Sequence, residues 1–270
     1  MQIRNIFIIF IFLPLVSLFI FNNNNNYKWD LPENTPEPRV PSDNPMTKSK
    51  VNLGRVLFYD QRLSINGNTS CGTCHVQKLA FTDGLPRAVG STGELHPRST
   101  MSLANVSYNS RLTWSNHLLD RLEIQALIPI FGEIPVEMGM SGKEDLIIKM
   151  IKDDEQYNQL FKSVFSSDND PYSILNIVRA ISAFVRSIIS FNSPYDKYLA
   201  GNQKALTDSE IRGMNLFFSE RTECFHCHGG INFTDSSTHA NSIIENVGFH
   251  NTGLYNLDTN GSYPDNNTGL

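Results

Sequence analysis

Two pairs of thiols, each spaced i, i+3 and followed at once by an imidazole, are the residues of this chain best placed to do chemistry. The first run is Cys71-Gly72-Thr73-Cys74-His75, the second is Cys224-Phe225-His226-Cys227-His228, and together they use all four cysteines. Cys-x-x-Cys-His is the attachment sequence of a c-type haem. In that reading each thiol pair forms thioethers with the haem vinyl groups, and His75 and His228 become axial iron ligands. A structural zinc site would bring two Cys-x-x-Cys pairs to within roughly 15–20 residues of each other; these lie about 150 apart. A thioredoxin-like pair needs no following His and would sit beside a strand-helix-strand pattern that is missing here. Disulfides remain an alternative in an exported chain, but they leave the two histidines without a reason.

Elements able to position these motifs can be read from the hydrophobic spacing. Residues 47–60 carry Val51, Leu53, Val56, Leu57 and Phe58 at helical intervals, so a helix is expected to lead toward the first motif, with Gly67 breaking into a loop. Asp83-Gly84 marks a turn after it. A helix is expected from about Thr113 to Ala126, ended by Pro129, followed by an irregular loop over 131–140. Further helices are expected at 143–152, 155–165 and 171–189, the last with Asp170 as N-cap, Pro171 in its first turn and a nearly all-apolar surface that calls for burial. Residues 192–203 read as an interdomain turn. Thr207-Asp208-Ser209-Glu210 is a capping box that opens a helix running into the second motif. A helix followed by Cys-x-x-Cys-His thus occurs twice, with no clear strand pattern, and the expected fold is mainly α with two cytochrome c-like haem domains.

A length of 270 residues, 40% hydrophobic and 18% charged, allows two ordinary domains with sizeable cores. The net charge of -5 shows no basic excess, so neither nucleic acid nor an anionic membrane surface is an expected partner. Arg4 followed by the apolar run Ile6 to Phe21 reads as an export signal over residues 1–21, with an uncleaved N-terminal membrane anchor as the alternative. Export to the periplasm agrees with haem attachment outside the cytoplasm. Residues 22–45, with an Asn tract and a Pro-rich stretch, read as a solvated linker. The first haem domain then covers 46–195 and the second 196–270.

Several motifs taken together resemble the bacterial di-haem cytochrome c peroxidase and MauG family. They are Leu53-Gly54-Arg55-Val56-Leu57-Phe58-Tyr59-Asp60, Phe81-Thr82-Asp83-Gly84, Leu122-Glu123-Ile124-Gln125-Ala126-Leu127 and Pro135-Val136-Glu137-Met138-Gly139, with Trp114 and both haem motifs. Within the family, residues 90–98, Leu112-Thr113-Trp114 and Phe131-Gly132-Glu133 look most like the MauG-like (MbnH-like) branch. The resemblance implies two covalently bound c-type haems: a peroxide-binding haem on His75 and an electron-transfer haem on His228. It also implies that Trp114 is the inter-haem tryptophan, Glu137 the distal carboxylate and Gln125 its hydrogen-bonding partner. Glu133 is a secondary candidate for the acid-base role.

The position at which some of these peroxidases carry a removable distal His is Ser91 or Thr92 here, which implies an open first haem, with His96 as a rival ligand. Ser99 stands where the family has the Asn that binds an interdomain calcium, which puts calcium in doubt. The family's sixth ligand to the second haem is expected beyond Leu270, so the second domain is expected to be incomplete, with His239 or His250 as substitutes. The implied activity is reduction of hydrogen peroxide with electrons from a small redox protein, a cytochrome c or a cupredoxin. The alternatives are a MauG-like oxidase that uses peroxide to modify residues of a partner protein, and a non-enzymatic electron carrier. The two motifs require that protein made in a haem-loading periplasm give a pyridine haemochrome of two c-type haems per chain; stoichiometric zinc without haem would rule the reading out.

Overall fold

The hydroxyl of Thr47 accepts the backbone N–H of Lys50 (3.2 Å), and this cap opens α1, Lys48–Phe58. The computed structural model describes residues 25–114, 116–244 and 248–250. The export signal or anchor expected at 1–21 lies outside the described residues, as does the tail from 251 onward. After α1 come the single turn α2 (Cys71–Cys74), the short α3 (Leu122–Gln125) and α4 (Leu127–Phe131), then α5 (Glu144–Asp153) and α6 (Glu155–Val164). The order closes with α7 (Ile174–Arg186), α8 (Pro194–Leu199) and α9 (Asp208–Phe217). Among the described residues there is no strand, only isolated bridges, and no helix is long and apolar enough to cross a membrane. The fold is mainly α.

The core forms where α1 lies along α7. Leu53, Leu57 and Phe58 of α1 meet Ile177, Ile181 and Val185 of α7, and Phe161 of α6 closes the layer. Full burial of each such side chain contributes about 1.5–3 kcal/mol. Close approach of the two helices depends on Gly54, because a Cβ there would stand 1.8 Å from the carbonyl oxygen of Ala180. Asp154 joins α5 to α6, ending the first and capping the second by accepting the N–H of Tyr157 (3.1 Å).

Several elements differ from their sequence expectation. Residues 113, 114 and 116–121 are not helical: Asn116 accepts the Leu118 N–H through its side chain (2.9 Å), and Arg111 donates to the His117 carbonyl (2.8 Å), a local turn that competes with helix. Pro129 does not end a helix but occupies the first turn of α4, where its missing N–H costs nothing. The last buried helix begins at Ile174 with Ser173, not Asp170, as its cap; Asp170 instead accepts the N–H of Tyr172 (2.9 Å), which holds Pro171 outside the helix. The supposed turn at 192–203 contains α8, opened by Pro194 and a capping box between Ser193 and Asp196.

The segment 25–45 is not a free linker. Asn44 is fully buried, Tyr108 donates to the Pro36 carbonyl (2.7 Å), and Ala240 donates to the Glu37 carbonyl (2.8 Å). The capping box at Thr207 and Glu210 is present as expected and opens α9.

The second motif sits on a 3-10 turn, Cys224–His226, that follows α9. Its downstream strand of chain is tied back to the first body: Thr238 donates to the Tyr108 carbonyl (2.7 Å) and Ser110 to the Ser236 carbonyl (3.0 Å). Asn232 adds a side-chain bond to Asn109 (3.0 Å). Because the atom opposite Gly54 is backbone and cannot rotate away, Gly54→Ala is expected to force α1 and α7 apart and cost about 1–3 kcal/mol. A lowered urea midpoint with an unchanged slope is the signature; an unshifted midpoint would show that the contact is not limiting.

Candidate haem site

The first motif is shaped by a turn and a loop. Ser70 and Thr73 form a reciprocal cap around α2, which sets Cys71 and Cys74 at the two ends of a single helical turn. After His75 the chain folds back through Ala80 and Phe81, both in left-handed backbone (φ +56° and +59°), so that the Phe81 carbonyl comes within 2.8 Å of His75 Nδ1. A carbonyl accepts only, so Nδ1 carries the proton and Nε2 keeps its lone pair for an axial bond. Burial holds the imidazole below its ordinary pKa, so it is neutral, as a ligand must be. The second motif repeats the device: Phe233, again left-handed at φ +52°, places its carbonyl 3.2 Å from His228 Nδ1.

Cys71, Cys74 and His75 share the wall of a cavity of about 940 Å³, at the upper end of the roughly 300–1,000 Å³ that encloses cofactor-sized ligands. The cavity is lined on its apolar side by Phe58, Leu122, Ile181 and Val185. The hydroxyls of Thr113 and Ser182 also line it, buried and without a hydrogen-bond partner. With the guanidinium groups of Arg87 and Arg98 on the same wall, they suit the carboxylates of a porphyrin edge. Burial pushes the Cys71 thiol up to about 12 and the Cys74 thiol to about 11, with Glu137 nearby adding to both. In a c-type attachment the S–H of each thiol adds across a haem vinyl group to give a thioether. No disulfide joins the four cysteines. The residues present therefore fit a c-type haem.

Glu137 is on the same wall. Its loop is clamped by the segment 88–96: Ser91 donates to the Glu137 carbonyl (2.6 Å), and Glu94 accepts the N–H of Val136 (3.2 Å). Gly90 has no side chain because the Val136 carbonyl oxygen would lie 1.9 Å from its Cβ. Burial raises the carboxyl of Glu137 above its ordinary value. Gln125, at the end of α3, also lines the cavity, but no hydrogen bond joins it to Glu137, whose ionic neighbour is His96 Nε2 at 3.7 Å. Glu133 is turned outward and accepts from Ser141 (2.8 Å), so it is not part of the cavity.

Trp114 lines the cavity at its mouth, half exposed, with Arg98 stacked 4.8 Å over its ring. It lies at the end of the stretch, 108–114, whose other end pairs with the chain beyond the second motif. Of the substitute ligands considered for the second haem, His239 accepts the N–H of Asn241 (3.2 Å) and His250 is held by Asp235 (2.6 Å).

The sequence pattern of the family described as di-haem cytochrome c peroxidase matches residues 48–204. The chain belongs to the di-haem cytochrome c peroxidase and MauG family. It is 37% identical over 208 residues to the methylamine utilization protein MauG of Methylorubrum extorquens, an alignment covering 77% of this chain and 56% of that protein. It is 30% identical over 234 residues to the cytochrome c551 peroxidase of Nitrosomonas europaea, covering 87% and 67%. A crystal structure of a MauG-like protein associated with microbial copper homeostasis superposes with a TM-score of 0.85 at 46% identity, covering 88% of this chain and 68% of that one. These place the chain in the MauG-like branch of the di-haem family. The chain spans a little over half the length of the MauG protein it matches.

Sequence reasoning missed what holds α3 in place. Glu123, buried beside Gln125, accepts from Arg186 of α7 (2.9 Å) and from Asn44 (2.7 Å), and Lys50 donates to Asn44 (2.9 Å). Nothing in the local pattern marks residues so far apart as partners.

Arg186 is the largest favourable influence on the Glu123 carboxyl, which sits below its ordinary value of 4.5 despite burial. The stability it contributes is therefore complete above that value and is lost as pH falls through the lower folded value. Arg186→Met, which leaves Glu123 buried without its cation, should cost about 3–5 kcal/mol in chemical unfolding at pH 7, and Glu123→Gln should flatten the loss of stability in acid. Equal acid limbs in wild type and Glu123→Gln would refute the assignment.

Proposed function

We propose that this chain is the catalytic part of an exported, periplasmic peroxide-dependent oxidoreductase. One c-type haem is attached through Cys71 and Cys74 and ligated by His75, and a second is attached through Cys224 and Cys227 and ligated by His228. The observation that carries the reading is the carboxylate of Glu137 on the wall of the cavity that holds Cys71, Cys74 and His75. When bound, the haem supplies the iron that takes hydrogen peroxide and two oxidising equivalents. Glu137 supplies the proton movement: its carboxylate takes the proton from one peroxide oxygen and returns it to the other, so that the O–O bond breaks with water as the leaving group. The raised affinity of this carboxyl for a proton suits it to both halves of that transfer. Gln125 borders the same space and orients the incoming peroxide by hydrogen bonding.

Electrons enter through the second haem from a small redox protein, a cytochrome c or a cupredoxin, and Trp114 offers an oxidisable ring between the two sites. The half exposure of Trp114 favours a second reading as well. A ring that reaches both the cavity and the surface can pass oxidising equivalents to a docked protein, which is the MauG-like use of peroxide to modify a partner. A pure electron carrier has no use for Glu137.

Glu137→Gln keeps the size and hydrogen bonding of the side chain and removes the proton transfer. The variant is expected to retain both haems and the resting spectrum, yet to react with peroxide at least about 100-fold more slowly in stopped flow. Glu133→Gln serves as the control. A slow Glu133→Gln beside a normal Glu137→Gln would reverse the assignment.

A further inference from the structure

The two haem motifs sit against the same aromatic frame, and the two frames differ by one phenolic oxygen. At the first motif the ring of Phe58, the last residue of α1, lies 6.3 Å from the His75 ring and 5.1 Å from the ring of Tyr59, which follows it. At the second, Phe217, the last residue of α9, lies 6.5 Å from His228 and 5.0 Å from Phe218. The interplanar angles repeat as well, 42° and 74° in one frame against 41° and 75° in the other. Centroid separations of roughly 4.5–7 Å are those of rings in contact. Each frame therefore runs without a gap from the histidine of its motif to a half-exposed ring, Tyr59 at 43% and Phe218 at 41%. A phenol gives up an electron when its O–H proton can leave, whereas a bare phenyl ring holds its electrons far more tightly. Only the first frame ends on a ring of the oxidisable kind. The seat of that ring is specific too: Gly72, between the two thiols, makes room for it, since a Cβ there would stand 2.3 Å from the Tyr59 ring. The second motif carries Phe225 at the same position.

We infer that Tyr59 is a surface outlet for the oxidising equivalents of the first haem, a site of one-electron oxidation separate from Trp114. This inference rests on the proposed peroxide chemistry at that haem. Tyr59 loses one electron, which reduces the peroxide-oxidised first haem by one equivalent, and its phenolic proton passes to the water that reaches the exposed ring. A neutral phenoxyl radical is left on the side chain. A small enediol or phenolic reductant in solution restores the tyrosine by giving back one electron, with a proton from water. Without one, two such radicals on two chains join ring carbon to ring carbon, the displaced ring hydrogens moving to the oxygens, to give a dityrosine. Phe58 is not itself oxidised: 1% exposed and lining the haem cavity, it fills the space the electron crosses and keeps water out of it. With tyrosine at the motif beside Glu137 and phenylalanine at the other, the outlet serves the haem where the oxidising equivalents arise.

The test uses the fully haem-loaded protein, wild type beside Tyr59→Phe and Tyr195→Phe, each first checked for two haems per chain. Tyr195 is the control because it stacks on Phe218 at the second motif (6.4 Å). Samples mixed with hydrogen peroxide in the absence of reductant are freeze-quenched for electron paramagnetic resonance, and parallel samples are treated with a nitroso spin trap and digested for mass spectrometry. Wild type and Tyr195→Phe are expected to give a tyrosyl radical and a trap adduct on the peptide that carries Tyr59. Tyr59→Phe should keep the resting spectrum and the wild-type rate of reaction with peroxide, yet lose both the radical signal and the adduct. An undiminished tyrosyl signal in Tyr59→Phe, its loss in Tyr195→Phe, or its absence from a wild type that consumes peroxide would each overturn the outlet. If wild type itself fails to react with peroxide, the proposed function falls, and the outlet with it.

Discussion

The contact between Gly54 and the backbone of Ala180 is the constraint on which the cavity depends. Two helices normally pack at 8–10 Å, and the lower end of that range requires a residue without a side chain at the crossing. With α1 drawn against α7 in this way, Phe58 at the end of one helix and Ile181, Ser182 and Val185 along the other face the same space. The buried pair of Glu123 and Arg186 then fixes α3 on the far side of α7, so that Leu122 and Gln125 form another wall. The cavity is thus a product of the first body's own packing, and the thiols of α2 are presented to a space already built.

The two haem motifs share one local device and differ in what surrounds it. In each, a phenylalanine in left-handed backbone five or six residues past the histidine turns its carbonyl onto Nδ1. A β-free glycine would adopt that backbone more easily, so the phenylalanine has another use. Phe81 packs on Phe58 and Phe233 packs on Phe217, which ties each ligand loop to the helix that precedes its motif. Beyond that the sites diverge, because His75 lies within a cavity walled by core residues while His228 is exposed and α8 and α9 bury no residue. Dielectric screening separates them accordingly: charges at the first site interact strongly, and charges at the second are damped by water.

Features carried by short stretches were legible in the sequence. The haem motifs, the capping box at Thr207 and Glu210, the turn at Asp83-Gly84 and the course of α1 each depend on residues within a few positions of one another. Where the sequence misled, a distant or competing bond decided. Asn44 in a proline-rich stretch looks like linker, yet it is buried because Glu123, Lys50 and the Arg179 carbonyl converge on it. The helix expected after Thr113 yields to the side chain of Asn116, and Pro129 is harmless only because a fresh helix starts two residues before it. At the site, the sequence could name Glu137 and His96 but not their proximity, since that depends on a loop clamped through Gly90 and Ser91.

Shielding is also what distinguishes Glu137 from other carboxylates near the haem motifs. Glu220 lies 3.4 Å from His226 beside the second motif, a pairing that looks much like Glu137 with His96, but its side chain is 78% exposed. Water there competes for every hydrogen bond and supplies protons without direction. Glu137 is instead 34% exposed, on a loop whose backbone is pinned to the segment 88–96 through Ser91 and Glu94, so the carboxylate is carried at a fixed position on the cavity wall. A proton moved between two oxygens of one small molecule gains from such fixation, because the acceptor need not diffuse or reorient between the two halves of the transfer.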